Sequence, residues 1–162
     1  MSTQIRPAPV KKSIFVHAPQ AHAFEVFTDG IGLWWPKTHA IGDAELDKPV
    51  IEPREGGRWY TRHTDGSETS TGFVDTWDPP ARLVLAWQID PRWQYDPSLV
   101  TEVELRFEAD GPHRTRVALE HRHLDRFGPE AERMRALFDS PGAWDGTLAA
   151  YAAAAVPSSS RA

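Results

Sequence analysis

Between residues 50 and 123 apolar residues recur at every second position, and a period of two commits a chain to strands with one face turned inward. Val103, Leu105 and Phe107 alternate with Glu102, Glu104, Arg106 and Glu108. Across Asp110-Gly111-Pro112, Thr115, Val117 and Leu119 alternate with Arg114, Arg116 and Glu120. This predicts a hairpin with one apolar face and an opposite face where acids and arginines pair across strands. Upstream, VIEPRE (50–55), RWYTRHT (58–64), SETSTGFVDTW (67–77) and RLVLAWQI (82–89) are bounded by Gly, Pro and Asp turns such as Asp65-Gly66. In RLVLAWQI the inward set is Leu83, Leu85, Trp87 and Ile89. Six strands in succession form a meander, which excludes a βαβ series.

Helical periodicity is confined to the two ends. A strand over residues 13–17 stops at Pro19, which suits a first helical turn, and Ala23, Phe24 and Phe27 then share one face until Asp29-Gly30. IGLWWP (31–36) adds a second short apolar turn, and residues 37–49 read as loop. Near the C-terminus Ala131, Met134, Leu137 and Phe138 form a helical stripe, Asp139-Ser140-Pro141 interrupts it, and Trp144, Leu148 and Tyr151 resume it. The class is therefore α+β: one curved antiparallel sheet that needs helical cover. The domain is expected over residues 13–154, with 1–12 and 155–162 as flexible ends.

At 162 residues the chain is long enough for one sizeable core. It has no cysteine, which removes disulfides, thiolate catalysis and Cys-based metal sites. Its net charge of −5 and the lack of a basic stripe argue against nucleic acid. No stretch approaches the ~20 apolar residues of a membrane span, and MSTQIRPAPVKK (1–12) contains no 7–15-residue apolar segment behind a basic start. A cytoplasmic protein without membrane insertion is expected.

Seven tryptophans, each able to bury roughly 150–250 Å², come from nearly every predicted element. They line either a core or a cavity. Trp34 and Trp35 are consecutive, so one of them is expected at a rim. His121 and His123 fall in register with Leu119, and His63 shares a face with Trp59 if no bulge intervenes. A histidine in an apolar interior orients a ligand, acts as a base, or is simply bonded to backbone or water. Glu52 and Asp75 are candidates for inward carboxylates of raised pKa, with exposure the competing reading. Arg54, Glu55 and Arg58 flank Gly56-Gly57 and form either an entrance ring or a surface ion pair. No Gly-x-Ser-x-Gly, phosphate-cradling loop or His-Glu-x-x-His motif is present, and no third ligand supports a metal.

The succession GLWWP (32–36), EPREGGRWY (52–60), GFVDTWDPPARLVLAW (72–87), LVTEVELRFE (99–108), RTRVALEH (114–121) and GAWDGTLAAY (142–151) resembles the family homologous to the activator of the heat-shock-90 ATPase. That family lies within the START-like, helix-grip (SRPBCC) superfamily. The resemblance implies a seven-stranded antiparallel sheet wrapped around a long C-terminal helix, with two short helices after strand 1 and a cavity between sheet and helix. It further implies binding of a hydrophobic or aromatic small molecule, without cofactor or metal. Trp35, Trp59, Trp87, Phe107 and Trp144 are the expected walls, and His63 and His121 the polar anchors. A cyclase- or hydrolase-type enzyme in the same cavity and a co-chaperone-like interaction domain are the alternatives, with no catalytic residue assigned. The surplus of aromatics is also compatible with a homodimer.

Overall fold

In the computed structural model, residues 8–35 and 46–156 are described. The alternating segments form β2 (Leu46–Ile51), β3 (Arg58–His63), β4 (Glu68–Asp78), β5 (Arg82–Trp87), β6 (Thr101–Ala109) and β7 (Thr115–Arg122). β1 (Val10–Val16) returns to pair with the last of them. The result is one seven-stranded antiparallel sheet in the order β1-β7-β6-β5-β4-β3-β2. Register shifts leave Asp47, Thr71 and Asp75 without a paired partner, and these bulges bend the β2–β5 half of the sheet.

The boundaries correct several expectations. β1 starts at Val10, whose side chain is fully buried, so residues 10–12 belong to the sheet rather than to a loose end. β2 begins at Leu46, inside the segment read as loop, and ends at Ile51, because Glu52-Pro53 opens a tight turn that reaches Arg58. In that turn a Cβ on Gly57 would lie 2.8 Å from the Glu52 carbonyl oxygen, so only glycine fits. Pro36 and residues 37–45 of the expected loop lie outside the described residues.

After β1 the chain forms α1 (Gln20–Thr28) and a single 3₁₀ turn (Ile31–Leu33). Gln20 Nε2 donates to the Phe107 carbonyl oxygen at 2.7 Å, tying the start of α1 to β6. The long C-terminal helix is two short ones, α2 (Ala131–Phe138) and α3 (Gly146–Ala155), separated by a wide turn over Pro141–Asp145. Pro141 removes a backbone donor, and Ala143 leaves helical space at φ −93°, ψ −115°. Tyr151 of α3 is fully buried and donates its hydroxyl to the Ala23 carbonyl oxygen at 2.6 Å, locking α3 onto α1. Burial holds that phenol protonated by raising its pKa. Among the described residues no helix is long and apolar enough to cross a membrane.

Candidate functional site

Three elements bring the indoles together. The register sets Trp59 of β3 and Trp87 of β5 opposite the same β4 residue, Gly72. No side chain stands between them, and their ring centroids are 5.7 Å apart. Trp144, beyond the Pro141 break, approaches from the helical side to 6.0 Å from Trp87 and 6.3 Å from Trp35. Trp35 in turn lies 6.0 Å from Trp59. Of the consecutive pair, Trp34 is buried and donates Nε1–H to the Val26 carbonyl oxygen at 2.8 Å, whereas half-buried Trp35 stands at the rim.

These rings meet mostly edge to face, at ordinary aromatic spacings. The region where a hollow was expected is therefore occupied by packed aromatic side chains. Phe138, the last residue of α2, closes the group against Trp87 at 5.5 Å and His121 at 4.5 Å. Phe107 does not join them. It lies under α1 against Phe24 and Phe27, at 5.1 and 5.9 Å.

His121 is 0% exposed, and both ring nitrogens are engaged. Nδ1 accepts from Trp144 Nε1–H at 3.3 Å, which fixes the proton on Nε2; that nitrogen then donates to Thr101 Oγ1 at 2.9 Å, and the threonine hydroxyl donates to the Trp87 carbonyl oxygen at 3.3 Å. Burial pushes the imidazole pKa down to about 3, so it is neutral at physiological pH. Its hydrogen-bonding capacity is spent within the fold. The anchor role expected for His121 is thus taken up by its own neighbours, and it orients Trp144 instead. His123 does not share its face: β7 ends at Arg122, and His123 turns outward at φ 64° to lie 3.4 Å from Glu102.

His63 is placed differently. The bulge falls at Thr71 rather than at Gly56-Gly57, so β3 stays regular and His63 keeps the face of Trp59 and Thr61. It is 2% exposed. Its Nε2 lies 2.7 Å from Thr69 Oγ1, while its Nδ1 is buried without a hydrogen-bond partner among the described residues. Trp87 Nε1 is in the same condition. Periodicity alone flags neither atom, because whether a polar atom finds a partner depends on strands far away in sequence.

Neither candidate carboxylate is an inward group of raised pKa. Glu52 sits in the turn after β2 and accepts the Arg58 backbone N–H at 2.7 Å; that bond, with Arg54 and Arg58 nearby, lowers its pKa rather than raising it. Asp75 is exposed at its bulge. Among the described residues the buried acid is Glu104, on the outer face. An open depression of ≈ 310 Å³ lies over it, but Lys11, Arg106 and Arg116 around that depression pair with Glu120, Glu104 and Glu108.

The family model described as Activator of Hsp90 ATPase homolog 1-like protein matches residues 17–140. The chain belongs to this family. Within the Hsp90-ATPase-activator-like fold, it is similar to a solved anthrahydroquino-γ-pyrone synthase, Txn09, with 38% identity over 92% of this chain and 97% of that one, at a TM-score of 0.64. It is likewise similar to CalC, a self-sacrificing resistance protein from Micromonospora echinospora, with 30% identity, 91% and 94% coverage and a TM-score of 0.69. Protein NE0264 from Nitrosomonas europaea shares the fold at 14% identity, with 91% and 94% coverage and a TM-score of 0.63. Among curated proteins no relative matches the sequence.

Proposed function

We propose that this cytoplasmic domain binds a planar, polycyclic aromatic small molecule between the concave face of the sheet and the C-terminal helical segment. Trp35, Trp59, Trp87 and Trp144 form the walls. One observation carries this reading: on an interior face built of aromatic rings, Trp87 Nε1 and His63 Nδ1 are buried without partners among the described residues. Each such atom costs about 1–3 kcal/mol, so a fold retains it where something else satisfies it. Trp87 Nε1–H only donates, which calls for an acceptor such as a ring carbonyl. Because the rings touch, a guest enters by parting them, and Trp35, half-buried at the rim, is the wall best placed to move.

The 38% identity to a γ-pyrone synthase supports the ligand class and favours a second reading, in which the same interior closes a ring on its guest. The test is thermal unfolding, with tryptophan fluorescence, against anthraquinone and its hydroxylated derivatives. Binding predicts indole quenching and a Tm rise of about 5 °C or more at ligand concentrations near 100 Kd. Flat quenching and an unmoved Tm across the panel would overturn the proposal. Native mass spectrometry of freshly purified protein, followed by analysis of the denatured extract, would then name the natural guest.

A further inference from the structure

His63 combines three features that no structural duty explains together. It stands on the interior face of β3 in the same alternating set as Trp59 and Thr61, it is 2% exposed, and among the described residues only one of its two ring nitrogens has a partner. Its surroundings are the polar end of an otherwise apolar face: Thr61 is buried two positions along the same strand, and Thr69 is held at 2.7 Å. It lies four residues along β3 from Trp59, about 13 Å of strand, so it and the Trp59–Trp87 pair do not address the same ligand atom.

The Thr69 hydroxyl both donates and accepts, which leaves the tautomer of His63 free to follow its guest. If Thr69 donates to Nε2, Nδ1 carries the proton and donates. If Nε2–H donates to Thr69, Nδ1 offers its lone pair. A hydroxyl group has the same dual capacity, whereas a carbonyl or an ether satisfies only one of the two states. Resting on the proposed aromatic site, we infer that His63 Nδ1 is its specificity-determining contact, taking a phenolic or enolic hydroxyl of the ligand and selecting against the deoxy or O-methylated analogue.

The experiment compares 2-hydroxyanthraquinone, whose hydroxyl is not tied to the ring carbonyl, with 2-methoxyanthraquinone and anthraquinone by indole quenching of the full chain, together with ¹⁵N NMR of the His63 ring. The wild type is expected to prefer the hydroxy compound by about tenfold or more, since an interior polar group discriminates strongly against an analogue that leaves it unpaired. The Nδ1 resonance should move most on adding the hydroxy compound, less with the methoxy ether, which only accepts, and stay in place with anthraquinone. His63→Phe should bring the three affinities together. Thr69→Val, which leaves the imidazole in place, should shrink the preference and keeps the test standing if His63→Phe does not fold. Binding of all three compounds with equal affinity and a stationary Nδ1 overturns this inference alone. Failure of all three to bind overturns the aromatic site and this inference with it.

Discussion

Glu104 lies on the outer face of β6 and is nevertheless 2% exposed. Directly across the ladders the charges clash: Glu104 faces Glu120, and Arg82 faces Arg106. The sheet resolves this on two diagonals and along β6 itself. Arg82 and Arg106 reach Glu104 Oε2 at 2.5 and 3.0 Å, and Arg122 reaches Oε1 at 2.5 Å. Burial pushes the carboxyl pKa up, but the hydrogen bonds from Arg82, Arg122 and Arg106 outweigh it and hold the pKa at about 2. Glu104→Gln is expected to destabilise by about 2 kcal/mol, below the usual penalty for a broken buried pair because the arginines are partly solvated. Urea unfolding at pH 7 measures it; an unchanged midpoint would show that the arginines are held by something else. The acid–arginine face was legible in the alternation. That three arginines share one acid was not, since diagonal reach depends on register.

At the scale of elements, the break between α2 and α3 is fastened by a cross-chain ion pair. Lys12 Nζ lies 2.8 Å from Asp139 Oδ1 and 3.1 Å from Asp145 Oδ2, so one cation from β1 spans the acids on both sides of the Pro141 turn. A hydrogen bond to Asp139 heads the effects that raise the lysine pKa, and the lysine lowers that of Asp139 in return. Lys12→Met should lower Tm by no more than about 3 °C, as befits a pair near the surface. The same change should speed amide exchange in α2 and the following turn, because α2 carries Phe138 over the indoles and loses one of its ties to the sheet. Unaltered exchange there would show that Phe138 packing alone holds α2. Pro141 announced the break in the sequence, and the order of β2 to β7 followed from the turns. The clasp did not, because residues 12 and 139 become neighbours only when β1 pairs with β7. Nor did the unbroken course of β3 from Arg58 to His63, which keeps His63 on the face of Trp59.

For the whole molecule the buried ionisable groups act in one direction on acid stability. In the unfolded chain His121 takes a proton near its ordinary pKa of 6.5, whereas the folded chain resists until about 3; Glu104 protonates near 4.5 unfolded and about 2 folded. Both pKa values are depressed by folding, so both contributions are complete above the unfolded pKa and are lost as pH falls towards the folded one. Stability should decline from about pH 6.5, by up to about 1 kcal/mol per pH unit for each group within its own window. His121→Asn keeps an acceptor for Trp144 but does not titrate; it should flatten the decline between pH 6.5 and 4.5 in urea midpoints, and an equal slope would contradict the burial account. By itself the sequence determined the strand alternation, the turns, the family and the convergence of tryptophans on one interior, because each is written within a few adjacent residues or in their succession. Only the tertiary structure decided that the indoles fill that interior, that His121 is saturated while His63 and Trp87 each keep a free polar atom, and that Phe107 stands apart. Those outcomes depend on register, bulges and a helix break acting between residues distant in the chain, and hydrogen-bond satisfaction is a property of the assembled neighbourhood.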